Sequence, residues 1–268
     1  MTFTLAPEAL ATGYRLVAHE TIGSTNADAM VRLRAGEPGP LWVVSAHQSQ
    51  GKGRRGSSWS TEPGNLAASL ALTTKAEPGT LATLGFVAGV ALVRALERVA
   101  DHTRVPVPPR VELKWPNDVL ADGAKLAGIL LEMESIGQAR AIVVGIGVNV
   151  AHGPEGLPYP TASLRGLGYP VSAMDLFGAL SAEWVQVFRF WDEGRGFAAI
   201  RDLWLARASG LGGAVSVRSG QHVVSGRFET IDQHGLLVVR TAEGVLRTIS
   251  AGEVYFGSAA TARREAVA

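Results

Sequence analysis

Residues 51–56 read Gly-Lys-Gly-Arg-Arg-Gly, three glycines and three cations in six positions. Such a run suits neither a helix nor a strand interior, because glycine loses the most backbone entropy on ordering. The apolar stretches LWVVSA (residues 41–46) and LAASLAL (residues 66–72) lie on either side. The chain is thereby constrained to go strand, cationic loop, strand. Glycine lets such a loop approach a ligand closely, and Lys52, Arg54 and Arg55 suit phosphate or carboxylate oxygens. The same letters also suit a solvated turn.

Gly51 and Gly56 have the spacing that opens a P-loop, but Ser57 stands where that motif needs lysine. Residues 49–52 match Ser-x-x-Lys without a KTG triad elsewhere, so an acyl-serine enzyme has little support. With 25 basic and 24 acidic residues the net charge is +1. Any anion binding must then come from local clusters, and a nucleic-acid surface is disfavoured. There are no cysteines, which excludes disulfides, zinc-thiolate sites and cysteine nucleophiles and suits a reducing cytoplasm, the expected location. The histidines form no HExxH pattern, so no protein-only metal site is expected. The N-terminus has no basic region followed by an apolar core, and the most apolar run, residues 81–93, is short for a bilayer. No membrane association is expected.

Residues 14–20 read as a strand. A helix follows with Ser24 or Asn26 as cap, Met30 and Leu33 on one face, and Gly36 past its end. Ser24, Thr25 and Asn26 suit capping, and equally the polar head of a ligand. Residues 80–100 read as one long, largely buried helix, and Pro106, Pro108 and Pro109 mark a loop. The segment before Pro116 must be extended, with turns at residues 116–118 and 122–123 and a strand over 126–132. Lys114, Asn117 and Asp118 thus gather at one turn and Lys125 opens the next strand, an arrangement that suits an exposed hairpin or a site. Residues 139–150 read as a buried strand in which Gly145 and Gly147 permit close approach and Asn149 offers a donor and an acceptor. Val150 excludes the dinucleotide fingerprint there. Helices are expected over 172–193, capped by Ser172, and over 197–208. After a linker at 210–213, five short strands separated by turn-formers suggest a small barrel.

With these pieces in order, the sequence resembles the biotin–protein ligases. The resemblance rests on GSTN (residues 23–26), the loop at 48–59, KWPND (114–118), KLAGIL (125–130) and GIGVNV (145–150), in the family's order and spacing. It departs from the family at Lys52, where arginine is common, and at Ser57, where another basic residue is common. The resemblance implies an α/β (α+β) catalytic domain over 1–209, sharing its fold with class II aminoacyl-tRNA synthetases. An SH3-like all-β barrel over 210–257 and a loosely ordered tail over 258–268 complete the expected layout. Some members carry an N-terminal helix-turn-helix; too few residues precede the first strand here for one, so a ligase-only type without DNA binding is expected.

The activity implied is ATP-dependent formation of biotinyl-5′-AMP, then transfer of biotin to a lysine of a biotin carboxyl carrier protein, with Mg²⁺ accompanying ATP. Lys125, Asp118 and Arg54 are the expected catalytic residues. Ser24, Thr25, Asn26, Gln48, Gly51, Lys52, Trp59, Lys125 and Gly128 are expected around biotin, with Gly145 also near its tail. Lys52, Arg54, Arg55, Lys114, Trp115, Asn117 and Asn149 are expected around ATP and the adenylate. The alternatives are a lipoate ligase-like adenylating enzyme, whose RRxSGGG-type stretch is absent, and a non-catalytic binding module.

Overall fold

A computed structural model describes residues 2–103 and 110–256. The expected loop at Pro106, Pro108 and Pro109 and the expected loose tail over 258–268 lie outside the described residues. The first element is a short helix that the sequence reading did not anticipate, α1 (Pro7–Ala11), with proline in its first turn. Phe3, Leu5 and Ala9 tie it to the core, and the Ala6 backbone N–H donates to Ser181 Oγ at 2.9 Å.

Seven strands build the main sheet: β1 (Arg15–His19), β2 (Leu41–Ser45), β3 (Leu66–Thr74), β4 (Val111–Lys114), β5 (Asp118–Ala121), β6 (Ala124–Ile136) and β7 (Ala139–Val148). Their spatial order is β1-β2-β3-β7-β6-β5-β4, with β1 and β2 parallel and the remaining neighbours antiparallel. Helix α2 (Thr25–Arg34) covers one face; α4 (Leu84–Thr103) and α5 (Ala173–Trp191) cover the other. The period-2 rule explains the split. Trp42 and Val44 of β2 point into the large core, while Leu41 and Val43 pack under Ala29, Met30 and Leu33 of α2. On the α2 face, small residues recur on β3, β6 and β7 at and beyond the start of the helix: Ser69, Gly128, Gly145 and Gly147. They leave a trough.

The single helix expected over 80–100 is two helices, α3 (Pro78–Ala82) and α4, separated at Thr83. Leu81 and Leu84 keep the apolar pattern running through the break. The Thr83 hydroxyl donates to Thr80 O at 2.6 Å and accepts from Trp191 Nε1 at 2.7 Å, which fixes the corner. By length and composition the helical stretch Pro78–Asp101 is long enough to cross a membrane, contrary to the sequence reading, but most of its apolar window is buried inside the protein. Helix α5 begins where expected, with Ser172 and Asp175 forming a reciprocal capping box. Helix α6 (Phe197–Leu205) follows.

The C-terminal strands are β8 (Ala214–Ser219), β9 (His222–Ile231), β10 (Leu237–Arg240), β11 (Leu246–Ile249) and β12 (Glu253–Phe256). All five expected strands form, but the expected barrel does not close. They pair in the linear order β11-β10-β9-β8-β12, leaving β11 and β12 as the two edges. Turn spacing specifies hairpins; closure depends on an edge pairing that spacing does not encode. This sheet docks on the first through Trp115, whose indole N–H donates to Gly235 O at 3.1 Å, and through Ser209, whose backbone N–H donates to Leu113 O at 2.9 Å.

Candidate active site

A cleft of about 1030 Å³ opens over the trough, walled by the α2 N-terminus, the cationic loop, the β4–β5 turn and β12. Its floor is made by glycines. Gly128 and Gly147 are register partners on β6 and β7, and the Trp59 ring lies against both; a Cβ on Gly147 would overlap the indole. Gly145, expected near the tail, also lines the cleft, where Asn26 Oδ1 occupies the space a Cβ would take. Gly147 is the floor residue that the sequence reading did not assign.

At one end of the cleft the N-terminus of α2 is pinned by hydrogen bonds. Ser24 caps it, its Oγ accepting from the Ala27 N–H at 3.3 Å. Gln48 Oε1 accepts from both the backbone N–H of Thr25 (2.7 Å) and its hydroxyl (2.9 Å), while Gln48 Nε2 donates to Thr61 Oγ1 at 3.0 Å. Gln48 therefore braces the loop's first residues against α2, with both ends of its amide engaged. The Ser69 hydroxyl, 2.7 Å from Thr25 Oγ1 and 2.5 Å from Asn26 Oδ1, continues the chain, and Asn26 Nδ2 donates to Glu132 Oε2 at 2.7 Å. Ser69, Thr61 and Glu132 carry no sequence signal of their own; Ser69 and Glu132 join the site through strand register and Thr61 through an isolated bridge to Gln48.

Along the cleft, Lys125 of β6 places its ammonium 2.8 Å from Asp118 Oδ1 and over the rings of Trp59 (5.6 Å) and Tyr159 (5.5 Å). Two aromatic faces and one carboxylate hold a cation in a defined place. Tyr159 lies in a loop and was not anticipated. The Arg54 guanidinium donates to Asn117 Oδ1 at 3.1 Å, which ties the loop to the β4–β5 turn. Partial burial, with Arg55 beside it, lowers the Arg54 pKa below its ordinary value, opposed by Asp118 and Glu253; an arginine remains charged nonetheless.

Two further features shape the loop. Arg55 has φ 54° and lies 3.6 Å from Glu253 of β12. Gly51 is buried where the loop doubles back: Trp59 N–H donates to its carbonyl at 2.9 Å, and a side chain there would overlap Trp59 O. Gly51 thus shapes the loop rather than lining the cleft. Lys52 is exposed on the cleft rim, and Ser57 Oγ donates to Arg54 O at 2.9 Å, stiffening the turn.

Lys114 lies over the Phe256 ring at 5.4 Å, so the C-terminal sheet shares the cleft wall. Trp115 is 3% exposed and joins the two sheets, bordering the cleft only from behind. Asn149 is set apart from the main cleft. It borders a cavity of about 100 Å³ on the far side of Trp59, Lys125 and Tyr159. Its Nδ2 donates to Ala162 O at 3.0 Å and Lys125 O at 3.3 Å, leaving the buried Oδ1 without a protein partner.

The arrangement can hold a polar ring at the α2 end and an anionic group beside Lys125. Residues 20–149 match the biotin/lipoate A/B protein ligase family, and residues 210–257 match the biotin protein ligase C terminal domain. The biotin–[acetyl-CoA-carboxylase] ligase of Paracoccus denitrificans is 39% identical, covering 87% of this chain and 97% of its own length. The enzyme of the same name from Mycobacterium tuberculosis is 34% identical, covering 87% of this chain and 85% of its own. In fold, the chain is similar to a solved biotin protein ligase from Aquifex aeolicus in complex with biotin and ATP, with a TM-score of 0.73 over 91% of this chain and 99% of that chain at 23% sequence identity. Sequence and fold agree, and the chain belongs to the biotin protein ligase family.

Proposed function

We propose that this protein activates biotin with ATP as biotinyl-5′-AMP and transfers the biotinyl group to a lysine of a biotin carboxyl carrier protein. One observation carries the reading: a single cleft joins a hydroxyl–amide chain at the α2 end to a fixed lysine flanked by cationic loop residues. The first suits a cyclic urea, which has two N–H donors and one carbonyl acceptor. Ser24 uses an oxygen lone pair for its cap and keeps its hydroxyl proton for that carbonyl. The Trp59 indole, seated on Gly128 and Gly147, gives the cleft an apolar wall that suits the thioether ring and tail.

In the first step a biotin carboxylate oxygen bonds to the α-phosphorus of ATP, and the bond to pyrophosphate breaks. The carboxylate is already ionised at neutral pH, so the site needs fixed positive charge more than a base. Lys125 supplies it at the reacting oxygens, with Arg54 and Lys52 from the loop and Lys114 from the turn. Arg55 takes its place in this group through the same loop. Asn117 positions Arg54. Asn149, which borders the small cavity and whose buried Oδ1 has no protein partner, suits the exocyclic amine of adenine. In the second step the carrier amine bonds to the acyl carbon, AMP leaves, and the amine gives up a proton.

Asp118 is the carboxylate placed to orient that amine, and its pairing with Lys125 means the two act together. Among the described residues no cluster of three or more His, Asp or Glu is set to hold a metal. Mg²⁺ would be held by the phosphates of ATP. On this reading residues 1–209 form the catalytic domain and 210–257 the second domain, and the cysteine-free composition suits the cytoplasm. Nothing in the proposed activity calls for DNA.

ATP–pyrophosphate exchange measured with biotin, with lipoate and without acid tests the reading. Exchange that needs biotin is the expected result. Exchange supported equally by lipoate, or by no acid, would overturn it.

A further inference from the structure

Glu132 lies outside the cleft, behind Asn26, and no part of the proposed chemistry uses it. Its hydrogen bond nevertheless decides how the groups in front of it point. A carboxylate accepts and cannot donate, so Asn26 must turn its Nδ2 toward Glu132 Oε2. Asn26 Oδ1 then faces Ser69, and the single Ser69 proton goes to it across 2.5 Å. At the other end, the Thr25 backbone N–H can only donate, which fixes Oε1 of Gln48 as its acceptor. The Thr25 hydroxyl donates to Gln48 Oε1 at 2.9 Å, with Ser69 Oγ 2.7 Å away. Both hydroxyl protons in the chain are committed inward. What Thr25 and Ser69 offer the cleft is lone pairs.

We infer that Glu132 is a positioning residue that sets the donor–acceptor polarity of the Glu132–Asn26–Ser69–Thr25 chain, so that the cleft presents acceptors to the N–H groups of the ring it binds. The inference rests on the biotin reading above and deepens it. The backbone supports it independently: Gly145 of β7 leaves room for Asn26 to lie between Ser69 and Glu132, and any side chain there would displace its Oδ1. Buried chains of this kind have consequences when one member is reversed, because a donor facing a donor is left unsatisfied.

The test uses Glu132→Gln, Asn26→Asp and the double variant, assayed by biotin-dependent ATP–pyrophosphate exchange. Glutamine keeps the shape of Glu132 but both accepts and donates, so the Asn26 amide can flip and turn a donor on Ser69. The KM for biotin rises roughly tenfold, the weight of one misdirected buried hydrogen bond. The KM for ATP and kcat at saturating biotin stay within about twofold. Asn26→Asp alone sets two carboxylates together and raises the KM for biotin further. In the double variant the introduced glutamine donates to the introduced aspartate, which again offers Ser69 only acceptors, and the KM for biotin returns toward wild type.

A merely structural role predicts no such rescue. If Glu132→Gln has the wild-type KM for biotin, or the double variant is no better than Glu132→Gln, the polarity role is wrong. If either single variant fails to fold, the double variant still decides: a KM for biotin as high as that of Ser69→Ala overturns the inference. Absence of biotin-dependent exchange in the wild-type enzyme would overturn the substrate reading instead.

Discussion

The Lys125 ammonium sits 2.8 Å from Asp118 Oδ1, with the two side chains 18% and 20% exposed. The pair joins the start of β6 to the start of β5, so each residue's chemistry depends on the other. Lys125→Ala is expected to keep the fold and lower biotin-dependent pyrophosphate exchange by ~10²-fold or more, the scale of losing one preorganised charge. Asp118→Asn releases the lysine from its anchor, so it is expected to slow both adenylate formation and transfer from preformed biotinyl-AMP. Loss of transfer alone, with normal exchange, would show that Asp118 acts only on the amine.

The two loop arginines should separate. Arg54 is partly buried and bonded to Asn117, whereas Arg55 is 47% exposed and faces Glu253 across 3.6 Å. Exposed pairs of that kind contribute about 0–1 kcal/mol. Arg55→Ala should therefore shift Tm by less than about 3 °C, yet speed dissociation of biotinyl-AMP by weakening the loop's hold on β12. Arg54→Ala should show the larger loss in both. Stopped-flow fluorescence and thermal melts check this, and equal effects at the two positions would contradict it.

Gly147 tests the floor. A methyl there overlaps the Trp59 ring. Gly147→Ala should push the indole off the trough and raise the Kd for biotin by roughly tenfold or more, the scale of about 1.4 kcal/mol or more. Titration calorimetry gives the Kd, and an unchanged value would remove Trp59 from the biotin pocket.

Tyr14 predicts how the protein fails in alkali. Its phenol is 7% exposed and pushed up to about 12 by burial, against a hydrogen bond from Trp184 Nε1 that works the other way. The fold prefers the neutral phenol. Its contribution is full below pH ~10, where the unfolded chain begins to ionise, and is lost as pH climbs toward 12. Urea unfolding should lose about 2 kcal/mol from this group between pH 9 and 11.5. Tyr14→Phe should lack that part of the slope, while costing about 1–3 kcal/mol at neutral pH by stranding the Trp184 N–H. A wild-type slope in the variant would refute the assignment.

Much of the fold was legible because its signals are local. The Ser24 and Ser172 caps, the turns at 116–118 and 122–123 and the alternation along β2 each depend on residues near in sequence. The break at Thr83 was hidden because its cause, the Trp191 indole, lies on another helix. The site follows the same rule. Lys125, Asp118 and Arg54 sit in motifs, and the structure brings them to one cleft. Ser69, Glu132 and Tyr159 enter through cross-strand register or a distant loop, and Gly147, though inside a motif, shows its place in the floor only once Gly128 lies opposite it. Gln48 lay in the right motif, but both its amide ends turned out to be engaged with Thr25 and Thr61. Short-range pattern finds which residues reach a site; long-range pairing decides what each has left to offer.

The wall supplied by β12 has a consequence for the order in which the enzyme becomes complete. The loop, the α2 cap and Lys125 all leave the ribosome well before Glu253 and Phe256 do. Until those last residues emerge, Arg55 and Lys114 lack the side chains they meet in the finished cleft. A chain stopped before β12 thus carries the chemical groups of the site without that wall.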